Sequence, residues 1–339
     1  MVVQESPCLQ QNPRSVDRSG AVREHGKEHM FGRLLGKKKL APAKDELVRL
    51  SPAISTTILE TVGAKSIPTM PGAAQKAFQL ATDPSAEAHD FVEVIQSDEA
   101  LSARVIKIAN SVFFDRGTGC TTIEDAVVII GINELRCLLN ATSLSEIFPC
   151  RHSARTQLWA NDIAVALISR SLAERYAPQQ VELAFLAGLM HDVGKLLLLQ
   201  RIPEEYGKVL QQVEREGADF CLIEAEHFPF THVEAGQLIA ERWNFGPELV
   251  TVIRHHHEPF DAPAVTPLIA IVKAADTIAH ALGLGHPKGF ARLRNHAEER
   301  LPEVWRHFGI PEEEQRETLA RFQRRYDTEY DLYANRALS

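Results

Sequence analysis

The stretch Leu183–Gln200, LAFLAGLMHDVGKLLLLQ, carries apolar residues on every helical face and interrupts them with His191, Asp192, Gly194 and Lys195. Such a segment reads as a single helix through the middle of a core, not along its edge. An imidazole and a carboxylate placed there must each find a partner, because burying an unpaired charge is strongly unfavourable. Neighbouring helical positions point about 100° apart, so His191 and Asp192 can lean toward one point in space. A divalent first-row metal would use both, since imidazole nitrogen and carboxylate oxygen are its ordinary ligands. A satisfied core histidine beside a helix-capping aspartate explains the pair equally well.

The rest of the chain is consistent with such a core. Its 339 residues are enough for two domains, and 45% hydrophobic with 24% charged residues is the composition of an ordinary soluble protein. A net charge of −8 argues against a general nucleic-acid binder, and Lys37–Lys39 is the one basic run. The five cysteines are widely spaced with no CxxC, which suggests neither a disulfide framework nor a zinc knuckle and points to a reducing cytoplasm. The longest apolar run is too short and too polar for a membrane span.

Taken in order, residues 1–42 read as a disordered tail, and Met30 is an alternative start to Met1. The piece MFGRLLGKKK is expected to be solvated rather than membrane-touching. A helix is expected within 43–65, and organised sequence begins at Ile67-Pro68-Thr69-Met70-Pro71, where the prolines force an extended entry. Helices are expected over about 72–82, through Phe91–Ile95, and after a cap at Asp98. Thr121-Thr122-Ile123-Glu124 has capping-box spacing, and the β-branched Val127–Ile130 leaves room for a short strand. The first half thus reads as a lobe of five or six short helices over 43–150. A second helical lobe, 151–285, contains Thr156–Tyr176, the central helix, a capped helix from Thr231-His232-Val233-Glu234, Leu249–His257 and Leu268–Leu282. Residues 286–339 form a charged helical extension. The expected fold is all-α, a helical bundle of two packed lobes.

Four clusters in the second lobe could meet: His191-Asp192, His232 with His227, His256-His257, and Asp276 in an otherwise apolar helix. Ligands spread over several helices are how bundles build metal sites. Taken singly, His232 and His255–His257 are better explained as exposed imidazoles at helix ends, and only jointly with the His-Asp pair do they point to a shared site.

These blocks resemble a known family. The His-Asp doublet with Val193-Gly194-Lys195 and the later Asp276 is similar to the HD metal-dependent phosphohydrolase superfamily, and more specifically to its HDOD branch of bacterial signalling modules. The resemblance covers roughly 64–285. It is carried by Ile67–Pro71, Ser97–Arg104, Ile108–Ser111, Gly131–Arg136, Leu158-Trp159, Ala184–Lys195, His232–Gly236 and His256–Pro259. It implies an HD-like second lobe with His191, Asp192, Asp276, His232 and His256 as metal ligands and Lys195 as a phosphate-binding group. Metal-binding members carry a histidine two residues after the Leu-Trp pair, where this chain has Asn161, a weaker, neutral ligand. Pro259-Phe260-Asp261 replaces the Gly-Tyr-Pro of the cyclic di-GMP hydrolases, which argues against that reaction.

The expected function is a non-catalytic signal-transduction module, a degenerate phosphohydrolase acting through protein partners or ligand sensing. No catalytic residue and no obligatory cofactor is expected. The alternative is a phosphohydrolase with an altered site holding Mn, Fe, Mg or Zn. Expected partners are other signalling proteins such as a kinase, cyclase or regulator, with a nucleotide as the candidate small ligand and no nucleic acid. The helix after Pro311, with Phe322 and three tyrosines, is either a contact surface or a lid over the second lobe.

Overall fold

The computed structural model describes residues 49–334, except 64–66, 71, 84, 112, 115–116, 118 and 286–290. The expected tail and the MFGRLLGKKK piece lie outside the described residues. Those described are helical throughout, with no strand among them. Six helices form the first half: α1 (Pro52–Val62), α2 (Gly72–Thr82), α3 (Ala88–Gln96), α4 (Glu99–Ala109), α5 (Ile123–Ile130) and α6 (Ile132–Ile147). The second half holds α7 (Ala154–Tyr176), α8 (Val181–Met190), α9 (Val193–Arg201), α10 (Pro203–Glu216) and α11 (Phe220–His227). It continues through α12 (His232–Arg242), α13 (Pro247–His255), α14 (Pro267–Leu282), α15 (Ala291–Phe308) and α16 (Glu312–Tyr333).

Local chemistry sets many of the ends. The Asp98 carboxylate accepts from Leu101 N (2.9 Å) to start α4, and Thr231 with Glu234 closes a reciprocal capping box on α12. Two expectations are corrected here. Val127–Ile130 is helix, not strand, because Ala126, Val127 and Ile130 form one buried helical face with Ile123. The cap of that helix is Thr122, which accepts from Asp125 N (3.1 Å), so the register lies one residue beyond the proposed box.

The largest correction concerns Leu183–Gln200, which is two helices, not one. The chain turns at His191-Asp192, where Asp192 takes φ −106° and ψ 16° and its carbonyl accepts from Lys195 N at 2.8 Å. An apolar pattern on all faces cannot reveal this break, since both halves remain buried. Close approaches at three glycines accompany it, two of them backbone to backbone. A Cβ on Gly188 would lie 2.8 Å from Ala166 Cα of α7, so α8 and α7 touch backbone to backbone. A Cβ on Gly194 would lie 1.9 Å from the His232 carbonyl oxygen, and one on Gly236 would lie 2.8 Å from Ile253 Cγ2. These crossings place the N-terminal ends of α9 and α12 side by side, with Asp192 and His232 at the seam.

One hydrophobic core runs from Ile58 to Tyr333. The C-terminal helix belongs to it: Phe322 and Tyr333 are buried, and Tyr326 and Tyr330 pack against the core. The buried Arg170 guanidinium of α7 anchors that helix. It donates to Glu134 of α6 (2.9 Å) and Tyr333 Oη (3.1 Å), pairs with Glu329, and lies over the Phe185 ring. Removing one partner of a buried charge network costs far more than removing a surface pair. No single helix among the described residues is long and apolar enough to cross a membrane.

The crossing at Gly194 leads to a direct expectation. Gly194→Ala forces a methyl into the α12 backbone, and urea unfolding should show a loss of about 3 kcal/mol or more. Gly72→Ala, in open space, should leave stability nearly unchanged.

Candidate metal centre

Asp192 stands in the middle of the residues that the sequence singled out. Its Oδ2 lies 3.3 Å from His191 Nε2 and 2.5 Å from Lys195 Nζ. Its Oδ1 lies 3.1 Å from His232 Nε2 and 3.6 Å from His256 Nε2. His191, Asp192, Lys195, His232 and His256 are all buried. Asp276 reaches the same cluster through His191 Nε2 (3.6 Å) and also faces His280 Nε2 (3.1 Å). His227, in contrast, is held at the surface by Gln212 Oε1 (2.8 Å) and takes no part.

The imidazoles are oriented as ligands. His191 Nδ1 faces Gly188 O (2.7 Å), His256 Nδ1 faces Ile253 O (3.1 Å), and His232 Nδ1 faces Glu224 Oε2 (2.7 Å). Each acceptor fixes a proton on Nδ1 and turns Nε2 inward, the arrangement that supports metal-bound histidines once Nε2 is free of its proton. Glu224 is fully buried and is itself held by Tyr206 Oη (2.6 Å) and His232 N (2.8 Å). His191 Nε2, His256 Nε2, Asp192 Oδ1 and Asp276 Oδ1 are buried without a hydrogen bond. Four buried polar atoms whose ionic contacts are not satisfied by well-formed hydrogen bonds suit a cation that joins them. The donor set fits a divalent metal.

Two groups of ligand atoms lie within 4.8 Å of one another: Asp192 with His232, His256 and His257, and Asp192 with Asp162 and His191. The carboxylate of Asp192 is common to both. The first set, three imidazoles and one carboxylate, suits Fe or Zn better than Mg, whereas the second, two carboxylates and one imidazole, is also compatible with Mn.

Sequence reasoning missed three members. Asp162 is buried in α7, and Asn161 beside it donates to Leu284 O (3.2 Å). That helix presents a carboxylate, Asp162, to the cluster. Glu224 carries the signal that drew attention to Asp276, an acid in an apolar helix. His280 lies one turn after Asp276 and pairs with it.

Charge balance explains the remaining features. Burial alone would lower the pKa of His191, but Asp192 and Asp276 outweigh it and raise the value to about 10. Burial pushes Asp162 up to about 8 against the pull of His191. Asp192 stays well below the usual carboxylate range despite its burial, because His191, Lys195 and His232 surround it. Burial lowers His256, and His257 further, so these two are neutral donors at pH 7.

Residues 67–259 match the HDOD domain, and the chain belongs to the HDOD family. An HDOD domain protein of unknown function from Geobacter sulfurreducens is similar in fold, with a TM-score of 0.66, 23% identity, and coverage of 84% of this chain and 96% of the other. A protein from Shewanella amazonensis, provisionally assigned as a phosphohydrolase, is 26% identical with a TM-score of 0.63, covering 84% and 98%. An uncharacterized protein of Treponema pallidum is 24% identical over 239 residues, 70% of this chain and 46% of that one, so the chain spans about half the length of this relative.

Two outcomes test the centre. Glu224→Gln should weaken divalent-metal binding about 10- to 100-fold, measured by competition with a chromophoric chelator, because His232 loses its orienting carboxylate. Metal uptake should also release protons and strengthen as pH rises toward 8, since His191 holds a proton that the metal displaces. Calorimetry in buffers of different ionisation enthalpy reads that release.

Proposed function

We propose that this chain is a signal-transduction module in which the HD cluster binds a divalent metal as a fixed centre and does not turn over a phosphate ester. The observation that carries the reading is the closure of the site. The cavity beside it, lined by Lys195, Asp219, His257, Asp276 and Arg300 among others, has a volume of only about 30 Å³. That is room for a few water molecules, which argues against a phosphate ester occupying this pocket. Leu293, His296, Ala297 and Arg300 of α15 form one wall, and this helix lies beyond the residues that match the family. The Lys195 ammonium is occupied by Asp192 rather than turned to a ligand, and its Nζ lies 3.9 Å from the Phe220 ring centroid.

A module of this kind passes its signal through protein contacts, in keeping with its acidic surface charge. Other signalling proteins of the cytoplasm are the proposed partners.

The second reading, a metal-dependent phosphohydrolase, is favoured by the inward-facing Nε2 atoms and by the class assigned to the Shewanella amazonensis relative. A metal there would act as Lewis acid and water activator. Metal analysis of the full chain purified without chelator, beside an assay on p-nitrophenyl phosphate and cyclic dinucleotides, separates the two. The module reading expects bound metal lost in His191→Ala, with no turnover in the native chain. Turnover that disappears in His191→Ala would establish the phosphohydrolase. Turnover appearing only in Asn161→His would show that catalysis was lost at that position.

A further inference from the structure

We infer that a second, sulfur-containing metal site lies at the rim of this cluster, built from Asp219, Cys221 and His257 and suited to a borderline-soft cation such as zinc. It shares His257 with the edge of the buried donor set, adds Asp219 and Cys221 outside that set, and goes beyond the reading of the set itself.

The three ligand atoms lie within 4.8 Å of one another. They come from two separate parts of the chain, so their convergence is tertiary. Asp219 caps α11, with Oδ1 accepting from Cys221 N at 2.9 Å, and this cap fixes the carboxylate beside the thiol. The second oxygen, Oδ2, is left facing His257 Nδ1 at 3.7 Å. His257 follows α13, and its ring stands between the two sites: Nε2 lies 3.1 Å from His232 Nε2, while Nδ1 faces outward to Asp219. All three residues are half-buried, unlike the buried inner donors, so a metal can exchange here without opening the core.

The chemistry separates the two sites. A thiolate, an imidazole and a carboxylate with one position open form the three-ligand pattern that zinc takes with a water completing the tetrahedron. The small cavity that borders two of the three ligands, Asp219 and His257, has room for that water. A sulfur donor selects zinc over manganese or magnesium, whereas the inner cluster offers only nitrogen and oxygen. Binding would remove the proton of Cys221 to solvent. The cation now facing Asp219 Oδ2 is Arg300 of α15 at 3.9 Å, too long for a well-formed ion pair and therefore weak competition.

Cobalt(II) tests this directly, because thiolate ligation produces an intense near-ultraviolet charge-transfer band that nitrogen and oxygen ligands do not. Titration of the full chain should develop this band. Cys221→Ser, nearly isosteric, should abolish it while the helical circular dichroism stays unchanged. Asp219→Asn keeps a helix-capping side chain and should weaken the cobalt midpoint at least about tenfold. His191→Ala, which disturbs only the inner cluster, should keep the band, so failure of the inner metal reading leaves this test intact. A native chain without the band at saturating cobalt, or a band that survives Cys221→Ser, would overturn the inference.

Discussion

The carboxylate of Asp192 is the point on which the second half of the molecule turns. One oxygen faces His191 and Lys195, and the other faces His232 and His256. A charged group this deeply buried is tolerable only because four potential cations or metal ligands surround it. Those partners come from α9, α12, the turn between α8 and α9, and the turn after α13. Their positions depend on the tight backbone crossings at Gly188 and Gly194, where a methyl would meet backbone, and on the close packing of Gly236 against Ile253. Sterics and electrostatics are therefore one design here: the glycines bring the helices together, and the charges make that closeness stable.

The same cluster can be balanced in two ways. Without metal, protons on His191 and His232 and the Lys195 ammonium offset the carboxylates. With metal, the cation takes over that work and the imidazoles return to neutral ligands. The backbone carbonyls behind His191 and His256, and Glu224 behind His232, favour the second state, because each accepts the Nδ1 proton and leaves Nε2 bare. The wall supplied by α15 limits what else can enter. Its neighbour α16 is tied down by Arg170, whose buried guanidinium ties α6, α7 and α16 together.

Much of this was legible in the sequence because it depends on local pattern. The all-α class followed from helical periodicity and caps, and His191, Asp192, His232, His256 and Asp276 stood out as polar residues in apolar surroundings. The break at His191-Asp192 was not legible, since uniform apolarity looks the same in one helix or two. Asp162 was missed because attention fell on its neighbour Asn161, and one helical position, about 100°, decides which of the two faces the cluster. Cys221 carried no signal at all, because its partner His257 lies 36 residues away and no spacing motif connects them.

The sequence by itself therefore determined the class of fold, the family and most of the buried donors. These are encoded in the chemistry of single positions and the rhythm of neighbours along the helix. Only the tertiary structure decided which donors meet, which face away, and how little room is left around them. Those outcomes depend on helix crossings a few ångströms apart between segments distant in the chain, and a linear pattern carries no measure of that distance.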